Sequence, residues 1–325
     1  MNRSIPPVDT VRDTDMAPWY LRRLDWYFFA RPVLMPPVWT ILLLAAAPTT
    51  SIQFNALPAA SLRVWAALCL SFFLFGGVYI LNQIFDVESD RLNRKLFFLP
   101  EGIMSRHWAW TQYVVFTLIA LGGGAALGRS WSVAAVAVVI QGILYSVPVV
   151  RLKDRPLGGL LANAIGQGTL VYYLGRAVSG PHTVPVWGGS ISYAFAVAGV
   201  YLLTTIPDRA GDERAGKRTL CVRFGPRQAA AAATFCVLAA GVMGVVNEQW
   251  AMVITAGLSL PLCALAVVAE KCCGTAVRVA LLVLSFFTCL VFWPYIFVLV
   301  LIWVSTRWYY RRRFGVTYPR LSAGG

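Results

Sequence analysis

Long apolar runs separated by short polar stretches set the pattern of this chain. Nine runs of mainly apolar residues follow one another, and each is close to the roughly 20 residues that a helix needs to cross a bilayer. They lie near residues 33–52, 63–84, 108–127, 131–149, 157–178, 186–206, 228–246, 250–269 and 279–306. The sequence therefore predicts an all-α integral membrane bundle of about nine transmembrane helices.

The last run leaves its form open. It is 28 residues long and contains Pro294, which lacks a backbone N–H for a helical hydrogen bond. One long tilted helix, one kinked helix and two shorter helices all fit it. Around these runs we expect a cytoplasmic N-terminal segment (1–30), a transmembrane domain (31–306) and a basic C-terminal tail (307–325).

Composition and charge agree with a membrane protein and orient it. The chain is 58% hydrophobic and 13% charged, with a mean hydropathy of +0.66, whereas soluble domains are about a quarter charged. Its 28 Lys and Arg residues follow the loops and form no basic stripe on a soluble module, so we expect no nucleic-acid partner. With a cytoplasmic N-terminus, 20 of them lie inside and three in outer loops, as cytoplasmic loops favour cations. The other five lie in the tail. Nine membrane crossings would place the tail outside, whereas a hairpin in the last run would return it to the inside.

Acids and cations meet at the end of the second run, in the stretch NQIFDVESDRLNRK. Asn82, Asp86 and Asp90 are spaced four residues apart, so they share one face of a continuing helix. Like charges at this spacing repel, and carboxylates near hydrocarbon are costly and usually functional. A divalent cation removes the repulsion, and Mg²⁺ typically takes one or two carboxylates together with water and phosphate oxygens.

A second acidic pair follows the sixth run on the same predicted side. Asp208 and Asp212 repeat the spacing of four. One such pair alone also fits a solvated helix end, but two pairs can hold two Mg²⁺ ions that bridge a leaving diphosphate. We therefore predict a Mg²⁺ and diphosphate site at Asp86, Asp90, Asp208 and Asp212. Nearby cations are candidates to bind the outer phosphate oxygens: Arg94, Lys95, Arg151, Lys153, Arg214 and Lys217.

These motifs resemble the UbiA superfamily of membrane prenyltransferases. The family's first signature, an Asn followed by two Asp at spacing four, is matched at Asn82, and its second by the DxxxD that begins at Asp208 and continues as GDERAGKRTL. A Tyr and a Lys between the motifs are matched by Tyr145 and Lys153 in YSVPVVRLK. The resemblance covers about residues 25–306 and departs at Gln83, where many members carry an acid.

The resemblance implies a cavity inside the bundle with a cytoplasmic mouth. An isoprenyl diphosphate would bind there through Mg²⁺ held by the four aspartates and Asn82, its allylic C–O bond would ionise, and an acceptor would attack the carbocation. Tyr145 is the candidate aromatic side chain beside that cation. For a bacterial or archaeal chain, the site would face the cytoplasm from the plasma membrane.

The acceptor and even the reaction type have alternatives. Aromatic quinone precursors are the commonest acceptors in the family, while chlorophyllide, haem, glycerol-phosphate lipids and phosphoribosyl groups also occur. A membrane terpene cyclase would use the same metal site without an acceptor. A carrier with charges at the membrane midplane is the non-enzymatic alternative, but the acids of this chain cluster at the ends of its apolar runs.

Overall fold

Helices make up every regular element of the described chain. The computed structural model describes residues 18–47, 54–92, 98–179 and 187–318. Its α-helices are α1 (Trp19–Phe29), α2 (Met35–Ala46), α3 (Leu62–Leu92), α4 (Arg106–Gly124), α5 (Arg129–Ser146), α6 (Pro156–Asn163), α7 (Val171–Val178), α8 (Trp187–Arg214), α9 (Leu220–Phe224), α10 (Pro226–Val246), α11 (Trp250–Ala266), α12 (Cys273–Val291) and α13 (Tyr295–Phe314). The predicted all-α architecture is therefore confirmed.

Seven helices in the described ranges are long and apolar enough to cross a membrane. These are Trp19–Ala46, which joins α1 and α2, and then Leu62–Arg91, Arg106–Leu127, Arg129–Ser146, Gly188–Arg214, Pro226–Val246 and Glu270–Val291. α11 is apolar but shorter, and α6, α7 and α13 fall outside this count. The membrane bundle is confirmed, whereas the number nine is not.

Successive crossings alternate between two ends of the bundle. We call the end that carries Asp86 and Asp212 the acidic end. At the opposite end, the Arg63 guanidinium at the start of α3 donates hydrogen bonds to the carbonyls of Leu127, Ala177 and Val178. One cation thereby satisfies carbonyl groups that helix ends leave without partners.

The last apolar run forms two helices, α12 and α13, which separate at residues 292–294. α12 ends opposite the acidic end, where the carbonyl of Leu290 accepts a 2.8 Å hydrogen bond from the backbone N–H of Asn55. α13 returns to the acidic end, where Phe314 packs edge-on against Phe98 with ring centroids 5.8 Å apart. Of the three forms open for this run, two helices are found, and the described part of the tail lies at the acidic end.

A buried ion pair joins α1 to α13. Arg313 donates from Nε and Nη2 to the two carboxylate oxygens of Asp25, each at 3.0 Å, and the Tyr309 hydroxyl donates to the same carboxylate at 2.5 Å. The Arg313 and Asp25 side chains are only 4% and 11% exposed. α1 precedes residue 30 and α13 passes residue 306, while the expected division into three segments stays a prediction.

The fifth apolar run is interrupted by a π-helical segment, Ala164–Leu170, between α6 and α7. Such insertions widen the helix and often lie at functional sites. The Gln141 amide of α5 donates to the carbonyl of Ala162 at 3.0 Å. A Cβ on Gly168 would lie 2.6 Å from the Cα of Ala194 in α8, so only glycine fits there. The small residues of the stretch 158–168 allow this close approach of neighbouring helices.

Candidate active site

The first acidic motif lies on the last turns of α3, where two of its oxygens converge on a single cation. The Lys153 ammonium is 2.7 Å from Oδ1 of Asp86 and 3.1 Å from Oδ1 of Asn82. The side chains of Lys153 and Asp86 are 5% and 8% exposed. Removal of one partner from a buried ion pair of this kind strongly destabilises the folded protein, because the other charge is left buried without compensation.

A short turn between α5 and α6 positions Lys153. Arg151 adopts a left-handed backbone conformation with φ 47°, and its guanidinium pairs with Asp154 at 2.6 Å. The carbonyl of Asp154 accepts a 3.1 Å hydrogen bond from the backbone N–H of Arg218, in the loop after the second motif. The turn therefore links the two motifs. Burial lowers the pKa of Lys153, and the neighbouring Asp86 carboxylate offsets this only in part.

The second motif ends α8, and a glycine turn folds a lysine back onto it. Gly216 has φ 70°, and the N–H groups of Gly216 and Lys217 donate to the carbonyls of Glu213 and Asp212 at 3.0 and 2.9 Å. This is a Schellman helix end, which requires a residue that tolerates positive φ. The Lys217 ammonium consequently lies 3.3 Å from the Asp212 carboxylate.

Lys217 connects the two motifs electrostatically. Burial lowers its pKa, but the carboxylates of Asp86 and Asp212 outweigh this, so the pKa lies above its usual value. The Asp90 carboxylate also interacts with the charges of Lys217 and Lys153. The acidic residues that the sequence places 122 positions apart, Asp86 and Asp208, thus belong to helix ends that face one another at the acidic end.

The remaining predicted residues divide into three groups. Tyr145, at the end of α5, lines a cavity beside Asn82 and receives a long 3.4 Å hydrogen bond from the Asn163 amide. Arg214 is exposed at the last residue of α8, and Arg151 braces its own turn as described. Arg94 and Lys95 lie outside the described residues. The diphosphate-binding role of these cations stays a prediction.

Two adjoining cavities extend from the first motif into the bundle. The first, about 320 Å³, is lined by Arg31, Tyr79, Asn82 and Tyr145 among others. The second, about 350 Å³, shares Leu34, Asn163, Gln167 and Thr204 with it, and no charged side chain is among its described lining residues. The pair thus runs from a charged entrance to a largely apolar interior.

Arg31 is a candidate site residue that the sequence reasoning missed. It adopts φ 59° and ψ 57°, a conformation that is uncommon for a residue with a side chain and disfavoured before a proline such as Pro32. Strained residues of this kind cluster at functional sites. Arg31 lines the first cavity and interacts electrostatically with Asp90. In the sequence it is one loop cation among many, far from both motifs.

Gln83, where the chain departs from the family pattern, turns away from the motif face. Its amide donates to the carbonyls of Phe29 and Tyr79 at 2.9 and 3.2 Å. It is 2% exposed. Gln83 therefore ties α3 to the end of α1.

The oxygens of the motifs fit Mg²⁺ on their chemistry. Within the described part of the chain, no three His, Cys, Asp or Glu side chains group closely enough to hold a metal ion by themselves. Mg²⁺ does not require such a group, because it usually takes one or two carboxylates and leaves its other positions to water and phosphate. The ammonium of Lys153 stands in for a cation and shows that Asn82 and Asp86 direct their oxygens to one point.

The chain belongs to the UbiA prenyltransferase family, whose model matches residues 33–273. The resemblance of the motifs is thereby confirmed. The chain is 30% identical over 161 residues to a 2-acylphloroglucinol 4-prenyltransferase of Humulus lupulus, an alignment that covers 45% of this chain and 37% of the relative. It is 29% identical over 180 residues to a digeranylgeranylglyceryl phosphate synthase of Halobacterium salinarum, covering 54% and 62%.

A solved structure supports the fold. The UbiA homolog from Archaeoglobus fulgidus bound to GPP and Mg²⁺ superimposes with a TM-score of 0.60 at 22% identity, covering 81% of this chain and 99% of that one. At this identity the match defines the helical architecture. The alignments with the two curated relatives span less than two thirds of each relative's length.

Proposed function

We propose that this protein catalyses the Mg²⁺-dependent transfer of a polyprenyl group from an isoprenyl diphosphate to a lipid-pathway acceptor, with release of diphosphate. One observation carries the proposal: the oxygens of Asn82 and Asp86 converge on a cation beside the second motif, at the entrance to an apolar cavity. The family match supports the reaction class. The Mg²⁺ in the Archaeoglobus fulgidus homolog supports the choice of metal.

The residues of the site have distinct tasks in this reaction. Asn82 with Asp86 and Asp90 would hold one Mg²⁺, and Asp208 with Asp212 a second. When bound, the metal neutralises the charge that grows on a leaving diphosphate. The cations of Lys153, Lys217 and Arg31 would donate to the same oxygens.

The bond changes are those of an ionisation followed by attack. The allylic C–O bond breaks with its electron pair on the diphosphate oxygen, which leaves a carbocation on the prenyl carbon. The acceptor forms a new bond to that carbon and loses a proton to solvent or a nearby base. The apolar second cavity suits the prenyl chain and excludes water from the cation. The ring of Tyr145 offers a π-face near Asn82.

Our choice of acceptor is an aromatic quinone precursor. The name of the Humulus relative describes prenylation of a phloroglucinol, an aromatic ring, which supports this class. The Halobacterium relative is named for a glyceryl phosphate product, so a glycerol-phosphate lipid is the second candidate acceptor.

We also propose that the site faces the cytoplasm from the plasma membrane. With α13 returning, Arg311, Arg312 and Arg313 join the other described cations at the acidic end. Among the described residues, Arg63, Arg129 and Arg176 are the cations at the opposite end. A cytoplasmic acidic end therefore satisfies the preference of Lys and Arg for the inside.

The test is a reconstituted assay. The purified protein in lipid nanodiscs would receive Mg²⁺ and labelled geranylgeranyl diphosphate, with homogentisate, 4-hydroxybenzoate, a glycerol-phosphate lipid or no acceptor. Pyrophosphate release with a labelled aromatic product supports the proposal, and transfer only to the glycerol-phosphate lipid replaces the acceptor class. Release with no acceptor and a cyclised product identifies a cyclase. No Mg²⁺-dependent release under any condition contradicts the proposed reaction.

A further inference from the structure

The two lysines of the site contact the same oxygens that the motifs would offer to metal ions. Lys153 lies between Oδ1 of Asn82 and Oδ1 of Asp86, at 3.1 and 2.7 Å. Lys217 lies 3.3 Å from Oδ1 of Asp212. A metal ion and an ammonium cannot occupy the same position between the same oxygens.

We propose that Lys153 and Lys217 are exchangeable counter-ions, which neutralise the acidic motifs until a divalent cation takes those oxygens and then move to the diphosphate. The second half of this proposal rests on the proposed function. The first half concerns only the metal and the chain.

Burial makes a counter-ion necessary at the first motif. The Asp86 carboxylate is 8% exposed, and an isolated ionised carboxylate in such surroundings is strongly unfavourable. Asp90, four residues on, is a second acidic side chain on the same face of α3. The Lys153 ammonium supplies one positive charge, whereas a divalent ion supplies two, so the exchange neutralises the acidic pair more fully.

The turn that carries Lys153 is held by contacts that do not involve the Lys153 side chain. The turn that carries it is held on one side by the Arg151–Asp154 ion pair and on the other by the hydrogen bond from Arg218 to the Asp154 carbonyl. Lysine carries its charge on a flexible four-carbon stem. In the proposed exchange, rotation about the bonds of that stem would move the ammonium away from Asn82 and Asp86 while the turn stays in place.

The exchange implies that the metal ion binds before the diphosphate. As long as Lys153 pairs with Asp86, its positive charge is neutralised by that carboxylate and cannot bind an anion. Once it leaves, the ammonium becomes a donor for anionic oxygens beside the newly bound ion. The cationic pocket for a diphosphate would then form only after metal has bound.

Lysine acylation tests the exchange in the unaltered protein. The chain has four lysines, Lys95, Lys153, Lys217 and Lys271, and Lys271 is exposed, so it serves as an internal control. The protein in nanodiscs would be treated with acetic anhydride in EDTA or in Mg²⁺, and the modified peptides quantified by mass spectrometry. We expect Mg²⁺ to raise the rates at Lys153 and Lys217 several-fold and to leave the rate at Lys271 unchanged. Rates at Lys153 and Lys217 that do not respond to Mg²⁺ overturn the proposal.

A metal-binding measurement gives an independent readout. Loss of the free Mn²⁺ signal in electron paramagnetic resonance reports binding of Mn²⁺ as the probe. Lys153→Met removes the competing charge at similar length, so we expect it to bind Mn²⁺ several-fold more tightly than the wild type. Lys271→Met is the matched control and should not change the affinity. Equal or weaker Mn²⁺ binding by a folded Lys153→Met variant shows that the lysine supports the site rather than competing for it.

Adding pyrophosphate separates this inference from the proposed function. With Mg²⁺ and pyrophosphate together, we expect acylation of Lys153 to slow again, because its ammonium now binds phosphate oxygens. Acceleration by Mg²⁺ without this second effect keeps the exchange and removes the diphosphate role of Lys153. Neither measurement uses a prenyl donor or acceptor, so failure of prenyl transfer leaves both results interpretable.

Discussion

Gly216 shows how one residue sets the position of a functional charge. Its positive φ lets the chain reverse after α8, and the reversal brings Lys217 to Asp212. A Cβ there would meet nothing within 4 Å, so the requirement for glycine is one of backbone conformation alone.

Gly216→Ala should therefore destabilise the turn and misplace Lys217. We expect a cost of about 1 kcal/mol for the unfavourable φ and weaker pyrophosphate binding, measured by inhibition of prenyl transfer. Gly216→Asn is the matched control, because Asn tolerates this conformation better than Ala. Equal losses in both variants would contradict the conformational explanation.

The motif aspartates are expected to be essential for turnover. Asp86→Asn and Asp208→Asn each remove a negative charge from a metal ligand, and we expect kcat to fall by roughly 10²–10³, the effect of losing one strong electrostatic contact in a transition state. Pyrophosphate release measures this, with circular dichroism as the check on folding. Glu213→Gln, at an exposed acid beside the second motif, should retain activity. Full activity in both Asp variants would exclude the two-metal site.

A substitution at Arg31 can distinguish the effect of its charge from the effect of its backbone conformation. Arg31→Gly removes the guanidinium and supplies the residue that best accepts φ 59°. We expect the free energy of unfolding to stay near or rise above that of the wild type, while the KM for the prenyl diphosphate increases about tenfold, or 1.4 kcal/mol. Thermal unfolding and steady-state kinetics give the two quantities. Unchanged kinetics would assign Arg31 a purely structural role.

At the scale of elements, the Asp25–Arg313 pair holds α1 and α13 together. Arg313→Met leaves the Asp25 carboxylate buried without its partner, and we expect a loss of about 3–5 kcal/mol in unfolding free energy. The double variant Asp25→Leu with Arg313→Met should recover most of this, since apolar residues can replace a buried ion pair. Denaturation in detergent measures both. Equal stability of the single and double variants would contradict the expected cost of the unpaired carboxylate.

The Asp25–Arg313 ion pair explains why the sequence did not predict α1 and the end of α13 as parts of the bundle. The apolar runs of α3, α4, α5, α8, α10 and α11 are recognisable because each is apolar along its own length. α1 and the end of α13 contain Asp25 and Arg313, which count as polar when each helix is taken alone. Asp25 and Arg313 can be buried only because they form an ion pair with each other in the folded protein. The pattern of apolar and polar residues along the sequence does not reveal that pairing.

A similar limit applies to the site. Both motifs lie on helices, α3 and α8, so the spacing of four places the residues of each motif on one helix face. The role of these residues in a metal site stays a prediction. The sequence could not show that Lys153 pairs with Asp86, or that the charge of Arg31 acts on Asp90. Both depend on where the turn after α5 and the loop before α2 lie relative to α3.

At the scale of the whole molecule, the hairpin of α12 and α13 places both described chain ends at the acidic end. We therefore expect a C-terminal green fluorescent protein fusion to fluoresce in cells and a C-terminal alkaline phosphatase fusion to be inactive, as for a cytoplasmic tail. Fusions to the loop between α4 and α5, at the opposite end, should give the reverse result. An active phosphatase at the C-terminus would contradict the hairpin.

The distance along the chain between Asp25 and Arg313 has a consequence for biosynthesis. The two residues are 288 positions apart, so at about 5–20 residues per second the ribosome needs roughly 15–60 s to supply the partner of Asp25. During that interval α1 is present without the guanidinium that makes its burial favourable. α1 is therefore synthesised long before it can reach its final place, and loss of the last residues of α13 would leave Asp25 of α1 without its partner.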